Sequence, residues 1–329
     1  MEALGNFRIS EDGYHTRRSI MKSNKKELTT YLLVTFILAW IMQIGGAFAA
    51  TILKNAIGAA IYQVLITLCM FAPMVGVLVI KKGIKQDKSG ISWKVDFKRN
   101  WKSLVFAWFM PMIFTVIGAV LYFVIFRSDY DPNMGMIMAA YDTSMGANAG
   151  TQSLSAGTIV FVSVIQAITY APFLNMVFAV GEEVGWRGYM TPVLQHMIGR
   201  KKGLILAGVI WGIWHAPLIV LAGYEYGTGY FGAPVSGVLI FCVFTIALAI
   251  ISTWLYEKTD CIWIPAIFHG AINGAAGIPL CFTDGTLTGY PLGPLPNGLI
   301  SVIPMLIFAI FVMIEKQKED VLVNNRKYL

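Results

Sequence analysis

Eight apolar runs, parted by short gaps that hold nearly all the charge, constrain this 329-residue chain more than any other feature. They fall at 28–51, 56–80, 103–126, 158–190, 203–222, 236–256, 262–280 and 298–314. At about 1.5 Å per helical residue, a run of about 20 residues crosses a hydrocarbon core about 30 Å thick. With 57% hydrophobic and 13% charged residues, and a mean hydropathy of +0.65, the chain is too apolar for a soluble domain of this length. The expected fold is all-α: a polytopic membrane bundle of about eight transmembrane helices.

The basic residues give the topology. Of 25 Lys and Arg, 23 lie in the termini, in the even gaps or at the charged end of the fourth run, and only Lys54 and Arg127 lie in the odd gaps. By the positive-inside rule, both termini are then cytoplasmic. The net charge of +7 is therefore a topology signal, and no basic face with stacking aromatics points to a nucleic-acid partner. The expected partners are the lipid bilayer and a membrane-bound peptide or protein. Cys69, Cys242, Cys261 and Cys281 are scattered in or beside spans, without C-x-x-C, and read as small packing residues.

Residues 1–27 read as a disordered cytoplasmic tail, 28–314 as the transmembrane domain, and 315–329 as a cytoplasmic C-terminal tail. Ala47-Phe48-Ala49 resembles a signal-peptidase site, but the long apolar run before it reads as a retained anchor. Segment 81–102 carries eight basic residues with Trp93, Phe97 and Trp101 among them. It reads either as an amphipathic helix on anionic lipid or as a solvated loop. The longest outer loop, 127–157, is placed to cover or gate a site.

Charge inside the apolar runs marks the candidate chemistry, because an ionisable side chain at a helix centre costs about 2.5–3.5 kcal/mol on insertion scales. Run four ends in V-G-E-E-V-G-W-R-G-Y-M, with Glu182, Glu183 and Arg187. Residues four apart share a helical face, which pairs Glu183 with Arg187 and Glu182 with Trp186. Adjacent residues are turned about 100° apart, so one glutamate can pair with Arg187 while the other faces a cavity. Run five pairs Trp211 with His215, ahead of Pro217, and run seven pairs His269 with Asn273. Pro265, four before His269, is expected to free a carbonyl one turn back. If run four stays helical past Arg187, these groups converge in the inner half of the membrane, where water could enter from the cytoplasm. Taken singly, a His beside Trp is an ordinary packing residue and Glu183–Arg187 an ordinary ion pair. Six such residues at helical spacing on three spans read as a site.

The three motifs resemble the CPBP family, the CAAX-protease and bacteriocin-processing (Abi) membrane proteins. Its pattern is E-E-x-x-x-R, F-x-x-x-H and H-x-x-x-N, and here Trp211 stands where Phe is usual. The resemblance covers 158–280 and implies an intramembrane endopeptidase that cuts near the membrane face, on CAAX-type, leader, bacteriocin or pheromone peptides. It implies Glu182 as the water-activating base, with His215 holding the same water. Glu183 then pairs with Arg187, His269 and Asn273 serve as oxyanion donors, and Trp186 and Trp211 support the site. Which glutamate is the base stays open. A metal-free site is expected, with zinc on Glu182, His215 and His269 as the alternative. No H-E-x-x-H, G-x-S-G or G-x-G-D is present. The competing functions are a proton-coupled transporter, which would ordinarily show an inverted repeat, and a non-catalytic bacteriocin-immunity protein.

Overall fold

A computed structural model describes residues 12–83, 91–145 and 154–325, with side chains over 25–80, 91–143 and 154–315. Among these residues the chain is helical, with no strand. The helices are α1 (Asp12–Leu53), α2 (Ala56–Cys69), α3 (Ala72–Gly83), α4 (Phe97–Ile125), α5 (Gly135–Met145), α6 (Ala156–Ile168) and α7 (Ala171–Gly185). After a π-helical turn come α8 (Thr191–Ile198), α9 (Arg200–Trp214), α10 (Ala216–Ala222), α11 (Val235–Thr259), α12 (Trp263–Ala275) and α13 (Ile303–Asn325). Helix α12 sits between α7 and α4, while α11 packs on α9 and α13, and α1 lies along α2, α3 and α10.

Six helical segments are long and apolar enough to cross a membrane, and α6 with α7 makes a seventh if that bent pair is one span. The eight expected spans are corrected at the last. Residues 298–302 form turns beside Pro294 and Pro296, so the apolar part of α13 is only Ile303–Glu315. Thirteen helical residues reach about 20 Å, short of a hydrocarbon core about 30 Å thick. Both ends are helical beyond the apolar runs. Helix α1 already begins at Asp12 and α13 runs on to Asn325, so the disorder expected of 1–27 does not hold for 12–27. Once a span has nucleated a helix, each added residue needs only one more bond to extend it. Residues 1–11 and 326–329 lie outside the described set. In 81–102, residues 91–96 carry no regular secondary structure and Trp93 packs edge-on to Trp263 at 5.4 Å, so 91–96 do not form a lipid-lying helix; 84–90 lie outside the described residues.

Two proline breaks shape the spans, and in each a tryptophan satisfies the carbonyl left over. Proline has no N–H, so Pro172 cannot bond the carbonyl of Ile168. The chain bends by 46° between α6 and α7, and Trp108 Nε1 donates to Ile168 O at 2.6 Å. In the same way Pro217 ends α9 at Trp214. The amide of Leu218 turns to His215 O, and the carbonyl of Trp214 instead accepts from Trp40 Nε1 at 3.1 Å. In lipid an orphan carbonyl has no water to fall back on, so these indoles hold the breaks in place. Pro265 lies in the first turn of α12, where its missing N–H costs little, and the carbonyl one turn back, Cys261 O, accepts from the Ile264 amide at 3.3 Å.

Polar ties fix the two ends of the bundle. At the basic end, Asn100 Nδ2 caps Thr259 O at 3.1 Å and Arg200 makes a two-pronged ion pair with Glu257. At the other end, buried Asp129 accepts from Tyr122, from the Thr288 side chain and amide, and from the Gly289 amide. Burial would raise that carboxyl, but these bonds outweigh it and hold it below the ordinary carboxylate value. Within 127–157, α5 supplies a helix, and residues 146–153 lie outside the described set.

Candidate active site

Helix α7 does not stop at the glutamates. It passes into a π-helical turn, Trp186–Met190, closed by the Thr191 amide bonding Trp186 O, and then into α8. Such wide turns inside helices are frequent at functional sites. Gly181 and Gly185, four apart, let this stretch press against the α2–α3 junction. A Cβ on Gly181 would lie 2.7 Å from the Phe71 ring and 2.8 Å from Met70 O, and one on Gly185 would strike Pro73 and the Tyr31 hydroxyl. Close small-residue contact of this kind is how membrane helices gain packing where lipid offers no hydrophobic drive. The result is a cluster with little freedom: Glu182, Glu183 and Arg187 are all buried.

The two glutamates face different partners, as their 100° offset requires. Glu182 Oε2 accepts two indole N–H groups, from Trp211 at 2.7 Å and Trp186 at 3.0 Å. Its Oε1 receives no protein donor among the described residues, and the side chain lines a cavity. Glu183 does not line that cavity. Its Oε1 accepts from His269 Nδ1 at 2.9 Å, and its Oε2 lies 3.1 Å from Arg187 Nε, as an ion contact without hydrogen-bond alignment. The Arg187 guanidinium lies over the Trp211 ring, 4.2 Å from its centroid, and Nη2 donates to Leu248 O at 3.3 Å. Trp211 thus touches both charges, with its edge on Glu182 and its face on Arg187.

His215 sits at the Pro217 break. Its amide bonds Gly212 O, which leaves the carbonyl of Trp211 to accept from His215 Nδ1 at 3.0 Å. That bond puts the ring proton on Nδ1 and leaves Nε2 with a free lone pair. The sequence did not foretell the link between His269 and Glu183; it put that glutamate with Arg187 alone. Asn273, one turn beyond His269, makes no hydrogen bond to protein among the described residues.

Glu182, His215, His269 and Asn273 share a cavity of about 290 Å³ with Trp211, Asn175 and residues of α2 and α11. Its lining has one direction. From Glu182 it follows α7 back to Asn175, from His269 it follows α12 on to Ala276, and from Trp211 it climbs to Tyr224 and Glu225. The cavity therefore extends from the charged cluster away from the Lys/Arg-rich end, towards the connections 223–234 and 283–302. Water access from the basic side had been expected, but the empty space lies on the other side of the cluster. Sequence reasoning also passed over Glu225 and Asn297, which close the far end.

Among the described residues no three His, Cys, Asp or Glu side chains gather so as to hold an ion, the set Glu182, His215 and His269 included. One oxygen of Glu182 and one nitrogen of each imidazole are already engaged by protein groups.

Residues 152–275 match the family of type II CAAX prenyl endopeptidase Rce1-like proteins. The match covers 124 of the 329 residues. It holds all six motif residues, from Glu182 to Asn273. The CAAX prenyl protease 2 of Methanococcus maripaludis is 28% identical over 260 residues, spanning 77% of this chain and 85% of that protein. With six or seven apolar spans around it, the chain is an integral membrane protein.

Proposed function

We propose that this protein is an intramembrane endopeptidase that hydrolyses peptide bonds in membrane-anchored peptides, of the CAAX-terminal class handled by its relative, with Glu182 as the base. The observation that carries this is the division of labour between neighbouring carboxylates. Glu183 is consumed by Arg187 and His269, while Glu182 presents one uncommitted oxygen to a cavity lined by two imidazoles and a carboxamide.

Each step follows from a named group. A water between Glu182 Oε1 and His215 Nε2 loses its proton to the carboxylate and attacks the scissile carbonyl. The two indole bonds keep Oε2 fixed, so that the carboxylate does not swing away from that water. Negative charge then develops on the carbonyl oxygen. Asn273 Nδ2 donates to it, and His269 does so when its ring carries a second proton on Nε2, a charge that Glu183 balances across the ring. The proton taken by Glu182 passes to the leaving amine, which completes the hydrolysis. No step is routed through a metal.

The test is cleavage of a membrane-anchored peptide by purified protein in liposomes. Loss of cleavage in Glu182→Ala, His215→Ala and His269→Ala, with each variant still folded and wild-type activity surviving a chelator, is the expected result. Full activity in Glu182→Ala would end this assignment.

A further inference from the structure

A second carboxylate lines the cavity, and nothing in the scheme above uses it. Glu225 lies on the connection after α10, its backbone in the left-handed region at φ +67°, which a residue other than glycine rarely adopts. Held there, it lines the cavity beside Tyr224, Gln63 and Asn297. The Tyr224 and Asn297 side chains interact with its carboxylate. Asn297 is buried, tied through its carbonyl to the Tyr226 hydroxyl at 2.8 Å, and its side-chain oxygen has no partner. The far wall of the cavity therefore holds a carboxylate beside a buried carboxamide whose oxygen is unpartnered. No Lys or Arg lines the cavity, and among the described residues no cation pairs with Glu225.

We infer that Glu225 and Asn297 form a cation-recognising subsite, which takes a primary ammonium or guanidinium group of the bound peptide at the end of the cavity opposite Glu182. The chemistry of the wall supports this occupant. A carboxylate and a carboxamide oxygen, both acceptors, match an ammonium, which brings three N–H groups and no lone pair. A cation also supplies the missing countercharge, because a secluded carboxylate gains most from a partner that arrives charged. A peptide carboxylate at this end would meet the like charge of Glu225. This inference rests on the peptidase assignment only for the identity of the ligand.

Binding separates the two. Peptides that differ only by lysine or its uncharged isostere norleucine, scanned along the chain, are titrated against the folded Glu182→Gln protein. That background removes turnover and the other cavity carboxylate. At one peptide position the lysyl form binds about tenfold more tightly, the worth of one charge-assisted hydrogen bond. Glu225→Gln on the same background erases the preference and leaves norleucine-peptide affinity unchanged. Asn297→Asp, which adds a second carboxylate at the same place, enlarges the preference severalfold and serves if Glu225→Gln does not fold. Equal binding of both peptides at every position, or a preference that survives Glu225→Gln, overturns the subsite. Selective binding by a protein whose wild type cleaves nothing would sink the peptidase assignment and leave the subsite standing.

Discussion

Glu182 and Glu183 are adjacent, buried and chemically identical, yet replacing each by glutamine should do opposite things. Glu183→Gln removes the countercharge of Arg187, a guanidinium with no other carboxylate within ion-pair distance among the described residues. Breaking one partner out of a buried pair costs about 3–5 kcal/mol, because the other charge stays behind. For a chain of this size that lowers the melting temperature by roughly 5–10 °C, at about 2 °C per kcal/mol. Glu182→Gln keeps an acceptor for both indoles. Each bond weakens from charge-assisted to neutral, a loss of about 1–1.5 kcal/mol, offset because a charge no longer has to be buried. Its melting point should stay within roughly 2 °C of wild type, while peptide cleavage disappears. The four cysteines are buried and free, so a dye that fluoresces on reacting with thiols reports unfolding in detergent or lipid. Equal melting points for the two variants, or a destabilised Glu182→Gln beside an intact Glu183→Gln, would refute the assignment of roles.

Three other outcomes can be checked separately. Gly185→Ala drives a Cβ into Pro73 and the Tyr31 hydroxyl, and overpacking of about 1–3 kcal/mol should appear as a lower melting point with reduced cleavage. Pro217→Ala lets the helix close across the break and carries His215 away from its bond to Trp211 O, so cleavage should fall without loss of thermal stability. Asp129 holds 283–302 through bonds that favour its ionised form, and its carboxyl sits below the ordinary value. That contribution is complete above the ordinary carboxylate value and is lost as pH falls through the lowered one. Hydrogen exchange in 283–302 should therefore accelerate only in strong acid, and at neutral pH in Asp129→Asn.

The spans and the site differ in how much of them the residues announced. Apolar length and the segregation of Lys and Arg locate seven of the spans to within a few residues, because backbone in lipid must be satisfied inside long apolar helical stretches, broken or not. The eighth was overread, since hydropathy does not see that Gly298–Ser301 turns rather than winds. Helical spacing sorted Glu182 and Glu183 correctly onto different partners, a consequence of geometry within one helix. What spacing cannot carry is contact between spans. The bonds from Trp108 to Ile168, from Trp40 to Trp214 and from His269 to Glu183 join residues 60, 174 and 86 positions apart. The proline at each break was visible, but the indole that completes it was not. Nor was the direction of the cavity, which depends on how six helices lean rather than on the order of any one.

The central claim is that a water activated at Glu182 is added across a peptide bond, and isotope incorporation tests it most directly. Protein in liposomes is given a membrane-anchored peptide in water enriched in oxygen-18, and the products are weighed. Wild type should yield a new carboxylate carrying one heavy oxygen after a single turnover, and Glu182→Gln should yield no product. Cleavage that proceeds in Glu182→Gln at the wild-type rate, or a product without the heavy oxygen, would contradict it.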